Sequence, residues 1–285
     1  MSAWQFEAIG TSWQIDTARP LAPGIAVAVT DRIDEFDAVW SRFRPDSVVS
    51  QIADRGGAWL LGEESRALLD LYVELYDATD GALTPLVGRT LSDLGYDATY
   101  SLRSAEHPAA VPDWDTIDWS YPELVAHEPV LLDVGAAGKG CLVDLVAEVL
   151  SESGVMEFTI DASGDLLHCA DAPLRVALED PRDPTRAIGV AELGDGRALC
   201  ASATNRRAWG DGLHHVLDGR TGLPTNDIIA TWVVAESGLL ADGLATAQFM
   251  AEPSRLMTLF DHEFARMHTD GHVEWSADFP GEVFA

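Results

Sequence analysis

Lys139 is the only lysine in 285 residues; the other 17 of the 18 cationic side chains are arginine. It lies in LLDVGAAGKGCLVDLVAEVL, where Gly135, Gly138 and Gly140 permit a tight turn before an amphipathic segment. A helix start offers N–H groups and a partial positive charge to an anion, and a lysine adds a compact full charge. Two readings stand: a phosphate ligand, or an incidental lysine at a strand–turn–helix junction. The spacing is not that of a Walker loop, because Gly140 stands where Ser or Thr would hold magnesium. In ADGLATA, Asp242 and Thr246 are four residues apart and share a helix face. A carboxylate with a hydroxyl is a hard-oxygen pair, the kind used for a magnesium ion that keeps waters and meets substrate phosphates. The bland alternative is a small-residue packing helix with a capping aspartate. In HHVLDGRTGLP, His215 is a candidate general base near neutral pH or a hydrogen-bonded rim residue. TIDASGDLLH, residues 159–168, reads as a strand followed by a tight turn.

The elements that must position these groups alternate irregularly. WQFEAI and SWQIDT read as two strands broken at Gly10. Apolar spacing predicts helices over Gly24–Trp40, 64–79 and Leu239–Met250, and another through Leu142, Val146 and Leu150. Leu131–Val134 reads as a buried strand. A strand-rich zone runs through Glu157–Asp161, Leu166–Cys169, Leu174–Leu178, Ala187–Leu193 and Ala198–Ser202, then His214–Leu217 and Ile228–Ala235. The tail reads as a short helix and a hairpin-like pair. Residues 95–129 form an irregular excursion with short strands inside a single domain spanning 1–285. Without regular βα alternation, the expected class is α+β, with mixed sheets and flanking helices.

A formal net charge of −29 repels polyanions, so no nucleic-acid partner is expected. Three widely spaced cysteines make neither a disulfide framework nor a zinc site. No stretch approaches the roughly 20 apolar residues of a membrane span, and the N-terminus lacks a basic, apolar leader. A cytoplasmic location is the expectation.

Six segments, in order, resemble the ApbE family of flavin transferases: SRFRPDSVVSQI, TDGALTPLVG, LLDVGAAGKGCLVD, TIDASGDL, HHVLDGRTGLP and ADGLATA. The resemblance implies an α+β, T-fold-related architecture that holds FAD beside Mg²⁺. It implies transfer of FMN from FAD to a threonine or serine hydroxyl of a target flavoprotein, with release of AMP. It places Lys139, Asp144, Ser202, His215 and Ile9 at the FAD site, with Ile9 where many members carry the methionine of "MGT". It assigns Asp242, Thr246 and the Ala136 carbonyl to the metal, and catalysis to His215 with Asp242 as the lesser candidate. FAD hydrolysis, or FAD binding without turnover, are the alternatives. The chain departs from the family pattern at Thr84 for the Asp of "FDP", Gly138 for Ala, and Asp161 and Ser163 in "NaGGD". Gly219 replaces the Pro of "HIlDP", and ASAT at 201–204 replaces "tSGd".

Overall fold

A computed structural model describes residues 2–284. The chain divides into two compact units, neither a continuous segment. One contains the residues up to Glu35, Ala137–Ala203 and those from Asn226 on; the other contains Phe36–Ala136 and Thr204–Thr225.

The first unit is built on an eight-stranded sheet. Its order is Ser2–Ala8, Thr11–Thr17, Phe158–Asp161, Asp165–Cys169, Arg197–Ala203, Ile228–Ala235, Glu263–His268 and Val273–Trp275. Neighbouring strands pair antiparallel throughout. Alternation sets the inward face near the edge: in Thr11–Thr17, Trp13, Ile15 and Thr17 are buried. Toward the centre, Ile228–Ala235 is apolar almost continuously because both its faces are covered. On one face Trp232 and Val234 join Leu178, Leu193 and Phe279 in a core shared with the three-stranded sheet of Leu174–Asp180, Asp183–Leu193 and Gly281–Val283. Against the other face lie two helices, Gly138–Glu152 and Gly238–Ala247.

These helices meet at backbone distance. A Cβ on Gly140 would lie 2.0 Å from the carbonyl oxygen of Gly238, and one on Gly238 would lie 2.6 Å from that of Gly140. Only glycine at both positions allows this approach. Gly140 therefore has a packing role beyond the flexible turn inferred for the segment, and the helix begins at Gly138.

The second unit contains the helices Val48–Arg55, Glu64–Ala78 and Gly88–Asp93, and a sheet of Gly57–Leu60, Glu123–Ala126 and Ile117–Ser120. The expected excursion supplies two of those three strands. The expected strand Leu131–Val134 does not form. Its backbone is drawn out of any ladder, with the Asp133 N–H donating to the Pro85 carbonyl at 2.7 Å. His214–Leu217 is likewise split between two short hairpins, Ala208–Trp209 with Leu213–His214 and Leu217–Asp218 with Leu223–Pro224. Helix Val48–Arg55, unmarked by periodicity in so short a run, starts where Ser47 Oγ accepts from the Ser50 N–H at 3.1 Å. No helix among the described residues is long and apolar enough to cross a membrane.

Gly140→Ala is expected to lower unfolding free energy by about 3 kcal/mol, because backbone cannot yield as a side chain does. Gly24→Ala, at a helical glycine with nothing within 4 Å of the added carbon, is expected to stabilise by up to about 1 kcal/mol. Urea unfolding of both checks this; equal effects would contradict the close approach of the helices.

Candidate active site

The two helix starts of the first unit cap each other. Ala137, at the N-cap of Gly138–Glu152, supplies no side-chain cap; instead the Gly140 N–H donates to Asp242 Oδ2 at 2.9 Å. In return Asp144, one turn beyond Gly140, receives the Gly238 N–H on Oδ1 at 2.7 Å and the Leu239 N–H on Oδ2 at 2.8 Å. Asp242 thus stands at the start of the helix that carries Lys139.

Lys139 reaches the turn between two strands. Its Nζ donates to the Ala162 carbonyl at 2.8 Å and pairs with Asp165 Oδ2 at 2.8 Å. Burial pulls the ammonium pKa down, but Asp165 and then Asp242 push it up, and the net shift is upward. Lys139 therefore stays charged. The Cys200 thiol is pushed well above its usual range by burial and stays neutral. Asp165 and Asp242, both buried, are the two carboxylates that act on this cation.

The same turn bonds to the strands that follow Ile9 and carry Ser202. Ser163 adopts a left-handed φ of 55° where the family pattern has glycine, and its Oγ donates to the Ser12 carbonyl at 2.8 Å. Gly164 follows at φ 102°, and its N–H is held by Asp161 Oδ1 at 3.0 Å. The Ala201 N–H donates to the Gly164 carbonyl at 3.0 Å, which joins the turn to the strand bearing Ser202, itself paired with Thr231. Ser12 lies just past the hairpin tip of Ile9 and Gly10, with φ values of 46° and 73°. A two-residue turn of this kind prefers Asn-Gly; a β-branched residue there is a steric outlier, as often found at ligand sites.

Asp242 and Thr246 follow one another along one helix face, as expected. Among the described residues no three His, Cys, Asp or Glu side chains gather for a metal. A single carboxylate with a hydroxyl on one helix face nonetheless suits Mg²⁺, which takes few protein oxygens when phosphates and water complete its shell. Asp144 has both oxygens on backbone N–H groups, a role in the packing of helices that spacing alone did not reveal.

The second unit carries Ala136 and His215. Of the adjacent histidines, His214 is structural: its Nε2 bonds the Thr225 carbonyl at 2.9 Å and its Nδ1 accepts the Val216 N–H at 3.3 Å. His215 Nδ1 is buried with no hydrogen-bond partner among the described residues. Burial, then Arg207 and His214, lower the His215 pKa to about 4, so the ring is neutral and able to accept a proton at ordinary pH. An open cavity of about 360 Å³ in this segment is lined by Trp209, Leu213 and His214 rather than His215.

Two residues here escaped sequence reasoning. Arg42 is buried; its Nε pairs with Asp133, its Nη1 donates to the Tyr96 carbonyl at 2.7 Å, and it lies 4.2 Å over the Phe43 ring. Burial raises the Asp133 pKa, but Arg42 and the Gly135 N–H, donated to Oδ1 at 2.7 Å, bring it below the usual value. The pair fixes the turn that leads to Ala136. Its available signal was an arginine and an aspartate inside two family-like segments.

The departures at Thr84 and Gly219 meet in space. A Cβ on Gly219 would meet Thr84 Cγ2 at 2.6 Å and the Gly81 carbonyl at 2.8 Å, while its N–H donates to the Ala82 carbonyl at 2.7 Å. Proline at 219 would lack that donor and would collide with Thr84.

An antiparallel sheet with helices against one face, and a lysine and two carboxylates near mutually capped helix starts, defines an α+β protein. Residues 9–268 match the model of the ApbE family, and the chain belongs to that family. It is 25% identical over 283 residues to an FAD:protein FMN transferase of Vibrio cholerae, covering 88% of this chain and 81% of that one. It is 28% identical over 187 residues to the enzyme of the same name from Rhodobacter capsulatus, covering 61% of this chain and 36% of that one. In fold it resembles the ApbE protein of Thermotoga maritima, with TM-score 0.83 and 24% identity over 99% of both chains. The flavin transferase ApbE of Vibrio cholerae superposes with TM-score 0.79 at 22% identity, over 98% of this chain and 97% of that one.

Because His215 in the folded chain has its pKa lowered from 6.5 to about 4, the unfolded chain binds the extra proton first as pH falls. The stability this neutral ring contributes is complete above about pH 6.5 and is lost as pH drops toward 4. His214 and His262, also lowered by burial, act with the same sign. His215→Gln should therefore flatten the acid side of a plot of melting temperature against pH; an unchanged slope would contradict its burial.

Proposed function

We propose that this chain is an FAD:protein FMN transferase. It moves FMN from FAD onto a threonine or serine hydroxyl of a target flavoprotein in the cytoplasm and releases AMP. The observation that carries the reading is the cluster of Lys139, Asp165 and Asp242 at two mutually capped helix starts, in a chain of this family.

In the transfer, the acceptor oxygen attacks the FMN-side phosphorus of FAD. The bond from that phosphorus to the bridging oxygen breaks, and AMP leaves with the bridging oxygen. Such reactions depend on positioning and on neutralising charge. Lys139, kept charged by its carboxylate neighbours, and the start of its helix hold the pyrophosphate. Asp242 and Thr246, with the Ala136 carbonyl, are the residues that would hold Mg²⁺. When bound, the ion offsets negative charge on the pyrophosphate oxygens. His215, neutral and with an unpartnered Nδ1, accepts the proton of the acceptor hydroxyl. Ile9 and Ser202, joined to the Ser163–Gly164 turn, border the flavin. Left-handed backbone at Ser163 keeps that turn where the family pattern has glycine.

Asp242→Asn keeps an oxygen for the Gly140 N–H but removes the charge. It is expected to lower Mg²⁺-dependent transfer by at least ~10²-fold, read as covalent FMN on a co-expressed acceptor by mass spectrometry. Full activity would remove the metal assignment. AMP release by wild type without an acceptor would indicate hydrolysis instead. Lys139→Arg keeps the charge but places a planar fork where a point charge meets both a carbonyl and a carboxylate. A loss of about tenfold or more in kcat/KM for FAD is expected. Indifference to that exchange would make the single lysine an accident of composition.

A further inference from the structure

We infer that Asp144 is a positioning residue for this transfer, fixing from the Lys139 helix where Asp242 and Thr246 stand. The inference rests on the metal role proposed for those two residues. Asp144 is a second cap, drawn from another helix. The Gly238–Ala247 helix has one of its own, since Ser237 Oγ accepts from the Leu240 N–H at 3.2 Å. That cap does not serve the two preceding N–H groups, of buried Gly238 and half-buried Leu239. They are taken instead by a carboxylate from another helix, at 2.7 and 2.8 Å.

The geometry leaves little freedom. Gly140 and Asp144 are one turn apart on the same helix face. Gly140 sets the separation by backbone contact with Gly238, and its N–H reaches Asp242 Oδ2 at 2.9 Å. Asp144 grips the two residues that open the partner helix. Contact at one turn alone would let the helices pivot; a second grip one turn further stops the pivot. Cys200 Sγ, 3.5 Å from the Gly238 carbonyl, backs the same residue from the sheet. Asp242 and Thr246 follow Gly238 by four and eight residues on this helix, so a small rotation at its start moves both.

The ionised carboxylate is needed for this grip, because a protonated one offers fewer acceptor sites. Burial raises the Asp144 pKa to about 6, against the opposing effect of its two N–H partners, and Glu148 one turn along raises it further. From the sheet, Cys169 and Cys200 are thiols kept neutral largely by burial. The grip should weaken as pH falls through about 6.

The test compares Asp144→Asn with Ser237→Ala, which removes the ordinary cap of the same helix. Mg²⁺ and Mn²⁺ half-saturation are read from melting temperature without FAD, and again from transfer rate. Asp144→Asn is expected to raise half-saturation by about tenfold, the usual scale for residues that orient metal ligands, with little change in KM for FAD. Ser237→Ala should leave half-saturation unchanged even where it lowers melting temperature equally. Transfer by wild type should decline below about pH 6 with a step absent from the Asp144→Asn profile. Wild-type half-saturation in Asp144→Asn, or the same shift in both variants, overturns the inference. If Asp144→Asn does not fold, Asp144→Glu carries the test. It keeps both acceptors but moves them outward, so half-saturation should rise severalfold, and a wild-type value overturns the inference. Absence of FMN transfer by wild type would defeat the functional reading separately, since the metal-induced melting shifts need no transfer.

Discussion

The site depends on the contact of two helix backbones at Gly140 and Gly238. Helices usually stand 8–10 Å apart because side chains separate them. Here the absence of two β-carbons brings the helix starts together, and each start lacks partners for its first N–H groups. The carboxylates of Asp144 and Asp242 supply them across the gap. Two positive helix ends side by side would repel; two interleaved carboxylates offset that repulsion. The result is a small region where lysine, carboxylate and N–H groups are held within one turn of each other.

That arrangement explains why Lys139 is charged although its side chain is only 20% exposed. An isolated buried ammonium would lose its proton, but Asp165 at 2.8 Å and Asp242 outweigh the desolvation. The pair also orders the turn. Lys139 binds the Ala162 carbonyl, and the left-handed Ser163 and Gly164 that follow connect to Ser12 and Ala201. The lysine therefore shapes the wall of the site as well as its charge. Its replacement by arginine would disturb both, which separates this position from the 17 where arginine is used.

Much of this was legible in the residues, and the exceptions have physical causes. Helix periodicity located Pro23–Trp40 and Glu64–Ala78 closely, because each buries one long apolar stripe. The four-residue spacing of Asp242 and Thr246 was enough to place them on one face. Leu131–Val134 misled because its apolar residues are buried by an irregular segment whose Asp133 turns toward Arg42, more than ninety residues away in sequence. No local pattern encodes a partner that distant. Asp144 was legible as a member of the motif but not in its role, since its partners Gly238 and Leu239 lie in another helix. The neighbouring His214, which the sequence pattern did not single out, is hydrogen-bonded at both ring nitrogens.

The departures from the family pattern divide by whether backbone or side chain carries the function. At Ser163 a glycine has been lost, yet the left-handed backbone persists, so the feature retained is the direction of the chain. At Thr84 and Gly219 the two changes fit each other: a larger side chain on one segment meets a missing one on the other, and the Gly219 N–H gains a carbonyl partner. Neither change touches the lysine or the capped helix starts. Ile9 differs in kind, because a β-branched residue in left-handed backbone is strained and no internal hydrogen bond of its side chain compensates. Strain at a hairpin tip is tolerated where the neighbouring strands fix the register, as the Ala8–Thr11 pairing does here. Ser163, Thr84, Gly219 and Ile9 therefore lie outside the two helix starts proposed to meet the pyrophosphate, whose geometry depends on backbone contacts that few substitutions can preserve.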